Sequence, residues 1–475
     1  MRTQIPASIL VSFALFLSTE GSRIMSTAIA ASKNRSDVIQ QMPSWVRVEG
    51  VDTILAEKHD TPLVSINIAF SFGSYSNPSD KGGLANFFGD MLLRGTKTRT
   101  REEIENELDF LGANLKVDTG YHSTMVRGQV LRRNLDRLLA LITDILTASI
   151  FPEKEVLKVR DELISELNIR LEDDTSVARV HFMEALFAGH PYGRDQMGSI
   201  TSLKSITRDD LVRSFRDHIH RSGIMIGAGG DLDRPAFDAI VRALATSLPV
   251  GRDAPNQVAF HRELHGRKVI LVDKPERTQT QFFLGHPGIS ATDPDYFPLM
   301  VFSTAFAGHM FQAKYLQEIR VKRGWAYGAY GRLDARRDGG AFFLHTYPAV
   351  KDTLPALELS LQMLGDAAEK GLSDDDLTFA KNYLVRSFPF LIDTPEKIVD
   401  ERIVARFVGY SDDYLETYIS KIMAVTPQQA RAVAKKHLNA KDLDIVVLCT
   451  AKDFKDTIGK AVGAASVEVV PFDRL

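Results

Sequence analysis

Cysteine is almost absent: Cys449 is the only one in 475 residues, so the chain has no internal disulfide, no thiolate zinc cluster and no Cys-x-x-Cys redox pair. An excess of one charge is missing too. Lys and Arg number 58 against 61 Asp and Glu, which removes the basic surplus that marks nucleic-acid and anionic-membrane binders. There is no G-x-S-x-G for an α/β-hydrolase nucleophile and no G-x-x-x-x-G-K-[ST] for nucleotide phosphates. The apolar run Ile9 to Leu17, which follows Arg2, is too short to span a bilayer and has the length of an export-signal core. Ala28-Ile29-Ala30 supplies a small-x-small cleavage pattern, so residues 1–30 are read as a signal peptide. The mature protein is then expected to be periplasmic or otherwise exported, with no stable membrane insertion. Were Met25 the true start, the run would be lost and the chain would be cytoplasmic.

What is present is ordinary globular material, 44% hydrophobic and 25% charged, and too long for a single hydrophobic core. Period-2 apolar runs predict strands over 65–72, 124–131, 280–285, 341–347 and 443–449. Apolar residues at three- and four-residue spacing predict helices over 101–111, 133–148, 153–171, 207–218, 354–371, 373–388 and 426–437, with Thr207, Ser373 and Thr426 as N-caps. Leu248 to Arg262, with Pro249, Gly251 and Pro255, fits neither period and reads as a connection. Ile206-Thr207, a helix ending at His218 and a strand recur as Val425-Thr426, a helix ending at His437 and a strand, both at an offset of 219 residues. A repeat of that length indicates duplication of a domain. The expected fold is α+β: two homologous domains, 44–250 and 262–475.

The segment Gly83-Leu84-Ala85-Asn86-Phe87-Phe88-Gly89-Asp90-Met91-Leu92-Leu93-Arg94-Gly95-Thr96 has the apolar stripe of a half-buried helix, with Asn86, Gly89 and Asp90 on another face. It resembles the G-L-A-H-F-L-E-H-M-x-F-x-G-T helix of the pitrilysin family of zinc peptidases, which includes insulin-degrading enzyme and the mitochondrial processing peptidase. In that motif two His at i and i+4 bind zinc from one helical face and the Glu activates the bound water. Here the His positions hold Asn86 and Asp90, and Gly89 replaces the base. Glu166 matches the family's further zinc-binding Glu, about 75 residues on. One carboxylate does not hold zinc, so the resemblance implies no metal in this chain. A hard-cation site of Asn86, Asp90 and Glu166 is the lesser alternative.

A second stretch, Tyr315-Leu316-Gln317-Glu318-Ile319-Arg320-Val321-Lys322-Arg323-Gly324-Trp325-Ala326-Tyr327-Gly328-Ala329-Tyr330, is similar to the family's L-x-x-x-x-R-x-K-x-G-x-x-Y. There an Arg and a Tyr seven residues apart hold the substrate backbone near the zinc of the other half. Arg320 and Tyr327 match them. Arg323 and Tyr330 share the interval, and the R-x-K pattern favours the first pair. A guanidinium and a phenol are donors that bind a peptide carbonyl or a developing oxyanion without a metal. His261-Arg262-Glu263-Leu264-His265 places its Glu unlike either known His-Glu-His motif and reads as surface charge. Gly189-His190-Pro191-Tyr192-Gly193 resembles a turn common in the family.

The resemblance implies two α+β domains, each a mostly antiparallel sheet flanked by helices. With one anchor erased and the other kept, the chain looks like the non-catalytic subunit of a two-chain bacterial member. Its partner would be a homologous chain with an intact H-x-x-E-H motif and the zinc; its substrate would be a peptide. The alternative is a structural or scaffold subunit, related to the peptidase-derived core subunits of respiratory complexes, that no longer handles substrate.

Overall fold

The computed structural model describes residues 42–251 and 258–474; the expected signal peptide and residues 252–257 of the connection lie outside the described residues. Pro43–Leu475 forms one compact unit built on two six-stranded mixed sheets. The first contains β1 (Val46–Val48), β2 (Val51–Glu57), β3 (Leu63–Phe70), β4 (Asn114–Thr119), β5 (Thr124–Leu131) and β6 (Met225–Gly230), in the order β1-β2-β6-β3-β5-β4. The second contains β7 (Arg267–Asp273), β8 (Gln281–Gly288), β9 (Ala329–Arg336), β10 (Gly339–Thr346), β11 (Leu443–Cys449) and β12 (Ala464–Pro471), in the order β12-β7-β11-β8-β10-β9. Pairing is antiparallel except at β2–β6, β7–β11 and β7–β12.

The five strands from β2 to β6 have their counterparts, in the same spatial order, in β7 to β11. The repeat read from sequence is therefore a repeat of topology. The paired helices Arg208–His218 and Pro427–His437 begin alike: Thr207 forms a capping box with Asp210, and Thr426 with Gln429. Only the sixth, edge strand differs, antiparallel β1 in one half and parallel β12 in the other.

Central strands such as β11, Leu-Asp-Ile-Val-Val-Leu-Cys, are buried along their whole length, the signature of a sheet covered on both faces. One face of each sheet is covered by helices of its own half. The other is covered by a helix from the opposite half. Asp174–Leu186 lays Val177, Ala178, Phe182 and Leu186 on Ile270, Val272, Phe283 and Val446 of the second sheet. Reciprocally, Pro395–Val408 lays Val399 and Ile403 on Ile54, Ala69 and Met225 of the first. The Gly-rich β6 permits this approach, because a Cβ at Gly229 would lie 2.7 Å from the Pro395 carbonyl carbon. Polar contacts fasten the exchange: Asn67 Nδ2 donates to Asp400 at 2.7 Å, and Arg406 pairs with Asp52 at 2.8 Å.

The connection is pinned as well. The Tyr75 hydroxyl meets both the amide and the carbonyl of Val258, and His190 bonds the same carbonyl at 2.9 Å. His261 and Glu263 are exposed in coil beside one another. Among the described residues no helix is long and apolar enough to cross a membrane.

Candidate functional site

The helix Leu84–Met91 starts at Gly83, whose φ of 86° lies in the left-handed region that glycine enters without strain. Leu84, Phe87, Phe88 and Met91 are buried, with Phe88 edge-on to Phe72 at 5.6 Å. Asn77 Oδ1 accepts from the Ala85 amide at 3.0 Å. The scaffold of the motif is intact while its chemistry is gone.

Position 89 is closed as well as empty of a base. The helix packs on β4 so tightly that a Cβ at Gly89 would lie 2.7 Å from Thr119 Oγ1 and 3.4 Å from Val117 Cγ1. That hydroxyl is held in place by the Ala85 carbonyl, to which it donates at 3.3 Å. Asp90 is half-buried, and the lost hydration pushes its carboxyl up to about 6; Arg94 opposes the shift, whereas Glu166 and Glu162 add to it. Glu166 lies exposed on the helix Glu153–Arg170, which packs against the motif helix. Arg94 is committed to Glu162 at 2.8 Å. With Asn86 and Asp90 in place of both imidazoles, Glu166 the one matching ligand and no base at position 89, the zinc donor set of the motif is not present. The residues do not fit the metal.

Among the described residues, the cluster whose ligating atoms do converge is Asp293, Asp295 and His437. It works as an ion-pair clamp between two helix ends. Asp295, at the N-terminus of Tyr296–Ala307, binds Lys436 Nζ at 2.6 Å and His437 Nε2 at 2.7 Å at the C-terminus of Pro427–His437.

The second anchor is built differently. Arg320 stands in a π-helical turn, Gln317–Lys322, a local widening frequent at functional sites. Its guanidinium carbon lies 4.1 Å from the centre of the Tyr327 ring and 5.9 Å from that of Phe311. Both rings are largely exposed, at 74% and 58%. Among the described residues Arg320 makes no ion pair and no side-chain hydrogen bond. Arg323, the alternative, is engaged: it pairs with Glu318 at 2.5 Å and lies over Trp325. Tyr330 is half-buried and stacked on His309 at 4.5 Å. Tyr327 sits in the coil between the turn and β9, and Tyr330 opposite His345 in the β9–β10 ladder.

Sequence reasoning missed Thr119 and Val117, which close position 89, and Phe311, His309 and Tyr347, which complete the Arg320 cluster. Spacing along the chain could not find them, because each arrives from another strand or turn. A glycine at a helix position facing a strand was the available hint of close approach.

Two family matches cover most of the chain. Residues 52–199 match the family described as Insulinase (Peptidase family M16), and residues 205–384 the Peptidase M16 inactive domain. An uncharacterised zinc protease of Streptomyces coelicolor is 24% identical, over 78% of this chain and 81% of its own length. A probable mitochondrial-processing peptidase subunit beta of Arabidopsis thaliana is 24% identical over 88% and 79%. Among solved structures, a peptidase M16 inactive domain from Pseudomonas fluorescens superposes with a TM-score of 0.79 at 20% identity, over 90% of this chain and 98% of that one.

Proposed function

This chain belongs to peptidase family M16, and from that premise we propose that it is the zinc-motif-lacking, substrate-binding subunit of a two-chain zinc metalloendopeptidase. A homologous chain with an intact H-x-x-E-H motif would supply the metal and the water-activating carboxylate. This chain would form the facing wall of the chamber and orient the peptide. Export to the periplasm belongs to the same proposal, and cell fractionation tests it.

One contrast carries the reading. The hydrolytic positions 86, 89 and 90 lack the imidazoles and the base of the motif and position 89 is packed against Thr119, while among the described residues Arg320 has no polar partner and lies beside an exposed Tyr327. A scaffold has no use for a guanidinium left open on an aromatic face. A peptide-binding wall does, since Arg320 and Tyr327 can donate to carbonyl oxygens of a bound peptide. An extended peptide added to a free sheet edge would be held mainly by its backbone, with modest side-chain selectivity.

The test is reconstitution with the motif-bearing chain, followed by Arg320→Ala and Tyr327→Phe. Loss of a charge-assisted hydrogen bond, about 1.5–3 kcal/mol, predicts a fall in kcat/KM of roughly tenfold or more for Arg320→Ala. The complex itself should still assemble. Unchanged turnover in both variants would favour the scaffold alternative.

A further inference from the structure

The cluster around Arg320 has a chemical bias beyond the capacity to hold a peptide backbone. Lys322 and Arg323, its cationic neighbours in sequence, share the single carboxylate of Glu318. Arg320 has no such counter-charge among the described residues. Its guanidinium lies 4.1 Å from the Tyr327 ring centre and 5.9 Å from that of Phe311, and its N–H groups have no hydrogen-bond partner among the described residues.

Phenols gather beside it. A Cβ at Gly328 would lie 2.5 Å from the Tyr347 hydroxyl and 2.7 Å from that of Tyr330, so these two hydroxyls converge next to Tyr327 at a point only glycine leaves open. The charges sensed there are of one sign. Burial raises the Tyr347 phenol, and Arg320 is the charged side chain that opposes this. His309 is lowered by burial and by Arg332. Burial, assisted by His309, pushes His345 down to about 4. Among the described residues no carboxylate pairs with Tyr347, His309 or His345.

We infer that the Arg320 cluster is a carboxylate site, taking a free carboxylate of the peptide, either its C-terminus or an acidic side chain. The inference rests on the substrate-binding reading above and narrows it. A planar guanidinium donates two parallel N–H bonds to a carboxylate, whereas a peptide carbonyl offers one neutral acceptor. Partial burial strengthens the charged pair over the neutral one, and the acid of the same turn, Glu318, is engaged by Lys322 and Arg323. The Tyr327, Tyr330 and Tyr347 hydroxyls can serve the remaining carboxylate lone pairs. Hydrolysis by the partner creates a new carboxylate on the N-terminal product, so the same site would retain that product in preference to an uncleaved, blocked peptide.

The experiment uses the full chain without a partner. The probe is an N-terminally labelled peptide lacking Asp and Glu, prepared with a free C-terminus, as the C-terminal amide, and as the amide with one internal Glu. Anisotropy titrations should show the free acid or the Glu-bearing amide binding roughly tenfold or more tightly than the plain amide. Which of the two gains identifies the carboxylate source. The preference should vanish in Arg320→Gln, with circular dichroism confirming an unaltered fold, and persist in Lys322→Gln, which removes a cation already paired. Equal affinity for all three peptides would overturn the inference and leave the substrate-binding reading standing. Failure of every peptide to bind would overturn the inference too, while turnover by the reconstituted Arg320→Ala and Tyr327→Phe pairs decides the substrate-binding reading.

Discussion

Gly89→Ala should destabilise this protein, although glycine to alanine inside a helix ordinarily stabilises by about 0.5–1 kcal/mol. The new Cβ would sit 2.7 Å from Thr119 Oγ1, closer than real contacts allow, and 3.4 Å from Val117 Cγ1, an ordinary contact. Thr119 is β-branched, with few rotamers, and its hydroxyl donates to the Ala85 carbonyl at 3.3 Å. Relief therefore requires breaking that bond, about 0.5–1.5 kcal/mol, or parting the helix from β4, with overpacking of about 1–3 kcal/mol. The net expectation is a loss of roughly 1–2 kcal/mol. In a Thr119→Ala background the obstructing oxygen is gone, and the same Gly89→Ala change should stabilise by up to about 1 kcal/mol. Urea denaturation of the four proteins of this cycle reads both the sign reversal and the coupling. Stabilisation by Gly89→Ala in the wild-type background would refute the claim that β4 closes position 89.

Three other outcomes follow from the structure. A raised Asp90 carboxyl, at about 6 in the fold and so above the usual aspartate range, contributes stability that is present below the unfolded value and lost as pH rises through the folded one. Asp90→Asn should therefore match the wild type near pH 4 and exceed it by roughly 1–2 kcal/mol at pH 7, after allowance for partial exposure; unfolding curves at the two pH values check it. Arg336 pairs with Asp334 at 2.7 Å and lies over the rings of Tyr121, Phe187 and Tyr192. Its replacement by Ala leaves the half-buried Asp334 without its ion-pair partner and should cost about 1–3 kcal/mol in the same assay. Arg336→Lys should recover only part, since an ammonium lacks the planar face that stacks.

Much of this architecture is legible in the chain because it is local. Thr207, Ser373 and Thr426 cap the helices assigned to them, and Leu84–Met91 displays its apolar stripe plainly. The duplication shows because the repeated capping boxes recur at one offset. Strands with a wet face are harder: Asn114–Thr119 and Ala329–Arg336 mix Lys, Asp and Arg with apolar residues, and neither was expected. The helices Asp174–Leu186 and Pro395–Val408 were missed too. Their burial is decided by a sheet from the opposite half, as far away as Asn67 is from Asp400, and no window of local sequence carries that information. The candidate site divides in the same way. Asn86, Gly89, Asp90, Arg320 and Tyr327 stand out by comparison with a known motif, whereas Thr119, Phe311 and Tyr347 acquire their roles only once the chain has folded.

The account turns on whether this polypeptide can activate water by itself. Metal analysis of the purified full-length chain after exposure to zinc, with peptide turnover followed on the same sample, is the direct measurement. The account predicts no stoichiometric zinc and no cleavage from the chain alone, with cleavage appearing when a homologous H-x-x-E-H chain is added. One zinc per chain, dependent on Asn86 or Asp90 and accompanied by cleavage without a partner, would contradict it.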